Sequence, residues 1–246
     1  MKKVILSVVS ILFFGMFLNA QTATTSGSKK LDLTGRPADH FMFQFGTDTW
    51  TSRPDSVKLG GGFSRHFNMY FMYDKPFATN PKYSVAFGAG VGTSNIFFDN
   101  HTFVDVKSPA NTLPFRHIDS LSNHFSKFKV TTIYLEAPVE LRYFSDPAHP
   151  GKSWKAAVGF KLGTLLKAYS KGKNMVSNTG TSINGKTYVQ KESNKRFFNA
   201  TDVALTGRVG YGVFSLDLGY QVNGVLRDGY GPLMNKFSVG FTISGL

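Results

Sequence analysis

Apolar and polar residues alternate along most of the chain, in segments separated by turn residues. Within each segment one parity carries large apolar or aromatic side chains, and the other carries glycine, small, polar or charged residues. Alternation at period two is typical of β-strands with one apolar face. The pattern predicts eight strands, at residues 40–50, 65–74, 82–96, 126–144, 154–169, 197–211, 214–225 and 236–246.

The connections between these segments differ in length. Short turns are indicated at residues 80–81, 147–151 and 212, and long connections at 100–124 and 171–195. Each segment is long enough to cross a membrane as a tilted strand of about 9–11 residues. Short turns at one end and long loops at the other are typical of outer-membrane barrels.

The charges on the polar parity indicate which face points inward. They are almost balanced in sign, although the formal net charge of the chain is +13. A water-exposed face has no reason to match its charges, whereas a barrel interior does. We therefore predict a lumen charge network of Asp48, Asp74, Glu136, Glu140, Arg142, Lys155, Lys161, Lys167, Asp202, Arg208 and Asp217. Small residues on the same parity, such as Gly88, Gly90 and Gly92, leave space for long side chains in a narrow barrel.

Aromatic residues on the apolar parity lie near many strand ends. They are abundant, at 15% of the chain, whereas charged residues make up only 17%. Rings at that level suit the interfacial girdles of a membrane barrel, and we expect this role for Phe41, Tyr73, Tyr83, Trp154, Tyr211 and Phe214. The predicted fold is all-β, an eight-stranded antiparallel up-and-down transmembrane β-barrel. The alternative is a soluble, lipocalin-like ligand-binding barrel, in which the apolar parity would face inward.

The first residues predict export from the cytoplasm. Lys2 and Lys3 precede a short apolar run that ends near Ala20, which is the pattern of a signal peptide. We therefore divide the chain into a signal peptide at 1–20, a flexible periplasmic lead-in at 21–37 and an outer-membrane barrel at 38–246. The chain contains no Cys, so disulfides and an N-terminal lipid-anchored Cys are excluded.

One strand carries a more specific pattern. The stretch YLEAPVELRY, residues 134–143, resembles the corresponding strand of the PorT-type outer-membrane β-barrels of Bacteroidetes, and KAAVGFKLGTLLKA at 155–168 is similar to that family too. The resemblance implies an eight-stranded barrel with a periplasmic N-terminus, and it implies no shared activity. Pro138 supplies no N–H to a strand ladder, so we expect a bulge or local irregularity there.

Two groups of residues in the long connections are candidates for chemistry or binding. His101, His117 and His124 could serve a rim-site hydrolase or acyltransferase, although solvated loop residues are the ordinary interpretation. A basic extracellular loop is predicted at Lys171, Lys173, Lys186, Lys191, Lys195 and Arg196. It could face lipopolysaccharide phosphates or an anionic partner, or it could simply solubilise the protein.

These patterns predict a non-enzymatic outer-membrane protein. We expect a structural or adhesive role, or an accessory role in a surface or secretion complex. The expected partners are outer-membrane lipid, with lipopolysaccharide as a candidate, and a surface protein. We expect a monomer without metal or cofactor, and no binding of nucleic acid. An eight-stranded interior is filled by side chains, so a wide pore is not expected.

Overall fold

The computed structural model describes residues 41–60, 64–119 and 122–245. The predicted signal peptide and lead-in lie outside the described residues. A 3-10 helix spans Pro150–Lys152, and no helix in these three ranges is long and apolar enough to cross a membrane. The strands within these ranges are β1 (Phe41–Thr51), β2 (Arg65–Pro76), β3 (Tyr83–Phe98), β4 (Thr102–Val104), β5 (Phe115–His117), β6 (His124–Phe144), β7 (Trp154–Val176), β8 (Val189–Ser193), β9 (Thr201–Tyr211), β10 (Phe214–Gln221) and β11 (Asn235–Ser244).

Eight of these strands form a closed antiparallel barrel. The order around it is β1, β2, β3, β6, β7, β9, β10 and β11, and β11 pairs with β1 to close the ring. Phe45 of β1, for example, lies opposite Phe67 of β2 on one side and Phe241 of β11 on the other. The predicted fold class is confirmed. Strands β4, β5 and β8 lie within segments that the alternation assigned to loops.

The two ends of the barrel differ in the length of their connections. At one end the strands are joined by residues 77–82, 145–153 and 212–213, and we call this the short-turn end. At the other, the long-loop end, the connections are residues 52–64, 99–123, 177–200 and 222–234. The six predicted girdle aromatics all lie exposed on the outer face near the short-turn end. Tyr83 packs on Tyr143 and Trp154 on Tyr211, with ring centroids 5.3 and 5.6 Å apart.

Strands β6 and β7 are much longer than a membrane crossing requires. They have 21 and 23 residues and stay paired as far as His124 and Val176. Strands of this length extend roughly 70 Å, whereas the apolar band of an outer-membrane barrel is about 25 Å tall. The two strands therefore continue beyond the band at the long-loop end, where β8 pairs with β7.

The pairing of β6 and β7 contains one register shift. Ile133 lies opposite Lys167 while Tyr134 lies opposite Leu165, so Leu166 is an extra residue on β7. The expected bulge or local irregularity at Pro138 is met by an interruption of the strand pairing there, whereas the bulge itself lies at Ile133 and Tyr134. At Pro138 itself the β3–β6 register is the same on both sides, and only the pairing of Ala137 and Pro138 with β3 is interrupted.

Candidate functional site

The barrel strands place the polar parity inside and the apolar parity outside. Asp202, Arg142 and Glu136 retain at most 2% of their exposed surface, whereas Val158 on the outer face is 63% exposed. We call the outer apolar surface the apolar belt, and its members include Phe45, Phe71, Phe87, Leu135, Leu141, Leu162, Leu205, Leu216 and Phe241. This polarity contradicts the alternative of a soluble barrel whose apolar stripes line a ligand cavity.

Glu140 is the centre of the charged layer nearer the short-turn end. Its Oε2 accepts hydrogen bonds from Arg142 Nε and Arg208 Nη2, both at 2.8 Å. Arg142 Nη1 also lies 3.7 Å from Asp74 Oδ1, which accepts a 2.6 Å hydrogen bond from the Ser84 hydroxyl. Two carboxylates, one from β2 and one from β6, thus compensate the charges of the two guanidinium groups.

A second layer, nearer the long-loop end, is built around Glu136. Its Oε2 accepts hydrogen bonds from the Tyr70 hydroxyl and, at 3.0 Å, from Lys161 Nζ. Beside it, Lys236 Nζ donates to Asp202 Oδ2 at 3.2 Å. These side chains come from β2, β6, β7, β9 and β11, so the layer ties most of the barrel circumference together.

Two further carboxylates complete the polar interior. Asp48 Oδ2 accepts a hydrogen bond from the Ser94 hydroxyl, and Asp48 Oδ1 lies 2.7 Å from Nδ1 of His66. Asp217 accepts a 3.0 Å hydrogen bond from the Thr242 hydroxyl. The Ser244 hydroxyl accepts from Lys155 and Arg208, both at 2.9 Å, which places Lys155 inside as well.

The structure places ten of the eleven predicted network residues in the lumen, and Lys167 is the exception. The register shift at Leu166 reverses the parity of β7, so Lys167 lies exposed on the outer face. The prediction for Lys167 is therefore wrong. Sequence reasoning also missed His66, Tyr70 and Lys236. Their position on the polar parity of their strands could have predicted that they face the lumen. Lys236, for example, is two residues before Ser238, which faces inward.

Side chains leave little space beside the Glu136 layer. A cavity between the Glu136 layer and Asp48 has a volume of about 10 Å³, with His66 and Lys236 in its wall. That is the volume needed for about one water molecule. This part of the lumen, between the Glu136 layer and Asp48, is therefore tightly packed.

A separate apolar core lies at the long-loop end of the barrel. We call it the apolar cap, and every long connection contributes to it. Its buried members are Trp50, Val57, Ile96, Phe98, Val104, Val106, Leu113, Phe125, Phe128, Val130, Tyr134, Leu165, Ala168, Phe197, Phe198, Val225, Leu226 and Met234. The rings interlock, with Phe98 5.6 Å from Trp50 and 6.2 Å from Phe128 between centroids.

The polarity of β6 reverses along its length. Toward the short-turn end its inward side chains include Glu136 and Arg142, and its outward ones are apolar. Beyond Tyr134 the inward residues include Val130 and Phe128 of the apolar cap, whereas Lys127 and Lys129 point outward. An outward apolar face suits lipid, and an outward polar face over an apolar core suits water. The membrane-embedded part and the water-exposed part therefore meet near Ile133.

The six residues of the predicted basic loop are not in one loop. Lys171 and Lys173 lie in β7 and Lys191 lies in β8, which corrects the prediction for these three. Lys186 and Lys195 are exposed in the connection. Arg196 packs on the apolar cap, with its guanidinium 5.2 Å from the Phe197 ring centroid.

The three loop histidines come together. The ring centroid of His101 lies 4.8 Å from that of His124 and 6.0 Å from that of His117. Nδ1 of His124 lies 3.3 Å from the Ser122 carbonyl oxygen. Within the described ranges, no group of three or more His, Cys, Asp or Glu residues is arranged to hold a metal ion.

One family model matches most of the chain. The family model described as outer membrane protein beta-barrel domain matches residues 42–226. No curated protein matches the sequence.

Two solved structures are similar at low identity. The attachment invasion locus protein Ail of Yersinia pestis, in complex with the heparin analogue sucrose octasulfate, is 12% identical with a TM-score of 0.33, over 83% of this chain and 96% of Ail. Neisserial surface protein A (NspA) is 14% identical with a TM-score of 0.29, over 84% of this chain and 97% of NspA.

Proposed function

This chain belongs to the outer membrane protein beta-barrel domain family, and from that premise we propose that it is a non-enzymatic outer-membrane barrel with a sealed lumen. Its role is structural or adhesive, or accessory to a surface or secretion complex. It acts as a monomer, in contact with outer-membrane lipid and with a protein partner at the surface.

The observation that carries this proposal is the double closure of the barrel. The charged layers around Glu136 and Glu140 join side chains from several strands across the lumen at two levels. The apolar cap then covers the lumen at the long-loop end. A channel needs a continuous polar path for water, and the apolar cap places large apolar side chains at the long-loop end of that path. A barrel without a path for solutes supports a role as anchor and binding surface.

The orientation follows from the connections. Outer-membrane barrels have short periplasmic turns and long extracellular loops. The apolar cap and the extended β6–β7–β8 sheet then lie outside the cell. Because the loops share one core, they present a folded surface to a partner at little ordering cost.

We place the chain in the PorT-type branch of this family. The support for this branch is the stretch from Tyr134 to Tyr143, which supplies both central carboxylates of the lumen, Glu136 and Glu140.

Planar-bilayer recording of the purified full-length barrel tests the proposal. We expect no large, persistently open conductance. A large conductance with an open probability near one would overturn the sealed-lumen role. The same preparation, assayed for lipid and peptide hydrolysis, is expected to be inactive. Hydrolysis that disappears when His101, His117 and His124 are replaced together by Ala would instead establish a rim-site enzyme.

A further inference from the structure

The outer surface just beyond the apolar belt carries a concentrated positive charge. Strands β2, β6, β7 and β8 contribute to it. We call it the basic face, and it consists of Arg65, Lys127, Lys129, Lys167, Lys171, Lys173 and Lys191. None of these side chains is buried.

Several of these lysines lie directly opposite one another. Lys127 is paired with Lys173, and Lys129 with Lys171, across β6 and β7. Lys171 in turn is paired with Lys191 across β7 and β8. Neighbouring strands are about 4.8 Å apart, and like charges in directly opposed positions destabilise a sheet. Three such pairs in one place form a positively charged surface. An anion that binds between the lysines would reduce their mutual repulsion.

Among the residues that the structure describes, the neighbouring outward positions of β6, β7 and β8 provide no carboxylate to neutralise these lysines. The outward residues of β6, β7 and β8 in this region are otherwise neutral, such as Thr131, Tyr169 and Ser193. Glu192 has the opposite parity to Lys191 on β8 and is paired with Ser170, whose side chain is buried.

The electrostatics of Lys129 reflect this surrounding charge. Burial lowers the pKa of Lys129, Tyr169 raises it, and Lys171, Arg65 and Lys191 lower it further. The cationic groups also lie over aromatic rings, with Lys191 Nζ 4.0 Å from the Tyr169 centroid. Arg65 and Lys129 lie 5.6 and 5.5 Å from the Phe97 centroid. These rings hold the charges close to the sheet surface.

The position of the basic face relative to the belt indicates its ligand. Lys167 lies directly opposite Ile133, where the apolar belt of β6 ends. Lys129 follows two outward steps later, roughly 13 Å along the strand. Leu135, Leu162 and Leu166 lie exposed on the other side of this boundary. When lipid acyl chains contact the apolar belt, the lipid phosphates at the membrane surface lie at the same height along the barrel as the basic face.

We propose that the basic face binds the phosphate groups of a phosphorylated glycolipid of the outer leaflet, the lipid A portion of lipopolysaccharide. The phosphate oxygens accept from Lys129, Lys171 and Lys191, and the acyl chains pack on Leu135, Leu162 and Leu166. Bound phosphate relieves the repulsion between the opposed lysines. This inference rests on the membrane placement and orientation given under the proposed function.

The test compares two triple variants of the full-length barrel in dodecyl maltoside micelles. Lys129, Lys171 and Lys191 are replaced by Gln in one, and the exposed loop residues Lys58, Lys107 and Lys186 in the matched control. Native mass spectrometry measures binding of bisphosphorylated lipid A, and of the same lipid with its phosphates removed. The SDS gel mobility of unheated and boiled samples is compared as well. A heat-dependent shift shows that a variant is folded, whether or not it binds the lipid.

We expect wild type and control to bind bisphosphorylated lipid A in preference to the dephosphorylated lipid. Each lysine near an anionic lipid surface raises the binding affinity roughly fivefold. The basic-face variant lacks three lysines, so its affinity for bisphosphorylated lipid A should be on the order of 100-fold lower. Equal losses in both variants, or no dependence on phosphate, would overturn the proposal. Binding of inorganic polyphosphate without binding of lipid A would also overturn it. The proposed function is judged separately, from the conductance and the gel mobility. If lipid A binding fails but the barrel is folded and its conductance stays low, only the lipid A proposal is overturned.

Discussion

The carboxyl group of Glu136 lies directly against Gly92 across the β3–β6 pair. A Cβ atom at position 92 would come 2.6 Å from both carboxylate oxygens. The Tyr70 hydroxyl and Lys161 hold that carboxylate in place through hydrogen bonds. A side chain at position 92 would therefore displace the Glu136 carboxylate from its hydrogen-bond partners.

Replacing Gly92 with Ala should lower the free energy of unfolding by about 1–3 kcal/mol, because the added methyl group displaces a side chain that is held by its partners. Urea unfolding in detergent micelles, followed by gel mobility, measures this. Gly207→Ala is the matched control, since no atom lies within 4 Å of a Cβ there. Equal stability of the two variants would contradict the packing described for Glu136.

Replacing Glu140 with Gln should destabilise the barrel more strongly. Arg142 and Arg208 share this carboxylate, so its loss leaves their charges poorly compensated in a buried site. Removing one partner of a buried ion pair costs about 3–5 kcal/mol. Thermal unfolding in micelles measures the effect, with Glu192→Gln in β8 as the control. A change below about 0.5 kcal/mol for Glu140→Gln would show that the pair contributes little.

Lys161 and Lys167 are six residues apart on β7 but lie on opposite faces. Lys161→Met removes the ammonium group that lies 3.0 Å from Glu136, and it should cost about 3–5 kcal/mol. Lys167→Met changes an exposed residue and should stay within about 0.5 kcal/mol. Unfolding in urea compares the two variants. Similar costs for both would mean that the register shift at Leu166 is absent and that both lysines face the lumen.

These variants also show what the sequence could predict. Period-two alternation was sufficient to predict the eight barrel strands and the inward orientation of ten lumen residues. In a regular strand, residues of the same parity point to the same face of the sheet. It could not predict Lys167, since one extra residue, Leu166, reverses the parity without leaving a turn signal. The apolar cap was also missed. Val57, Phe198 and Leu226 come from different loops, and only the tertiary structure brings them together.

The apolar cap should open independently of the membrane-embedded barrel. Phe198 is fully buried, and Phe198→Ala should cost about 3–5 kcal/mol of local stability. We expect faster cleavage of the long connections by proteinase K in proteoliposomes, while unheated SDS mobility stays that of a folded barrel. Ile183→Ala, at a half-exposed position in the same connection as Phe198, is the control. If both variants were cleaved at the wild-type rate, the cap would not be what orders these loops.

The central claim is that the outer face of β7 contacts lipid up to Leu166 and water beyond it. Because the chain has no native Cys, single cysteines at Val158, Leu162 and Lys171 can each carry one spin label. The measurement is the accessibility of each label to oxygen and to a water-soluble nickel reagent in reconstituted bilayers. We predict that the labels at 158 and 162 are accessible to oxygen and shielded from nickel, and that the label at 171 is accessible to nickel. Access of nickel to the labels at 158 and 162 would contradict the account, because the apolar belt would then face water.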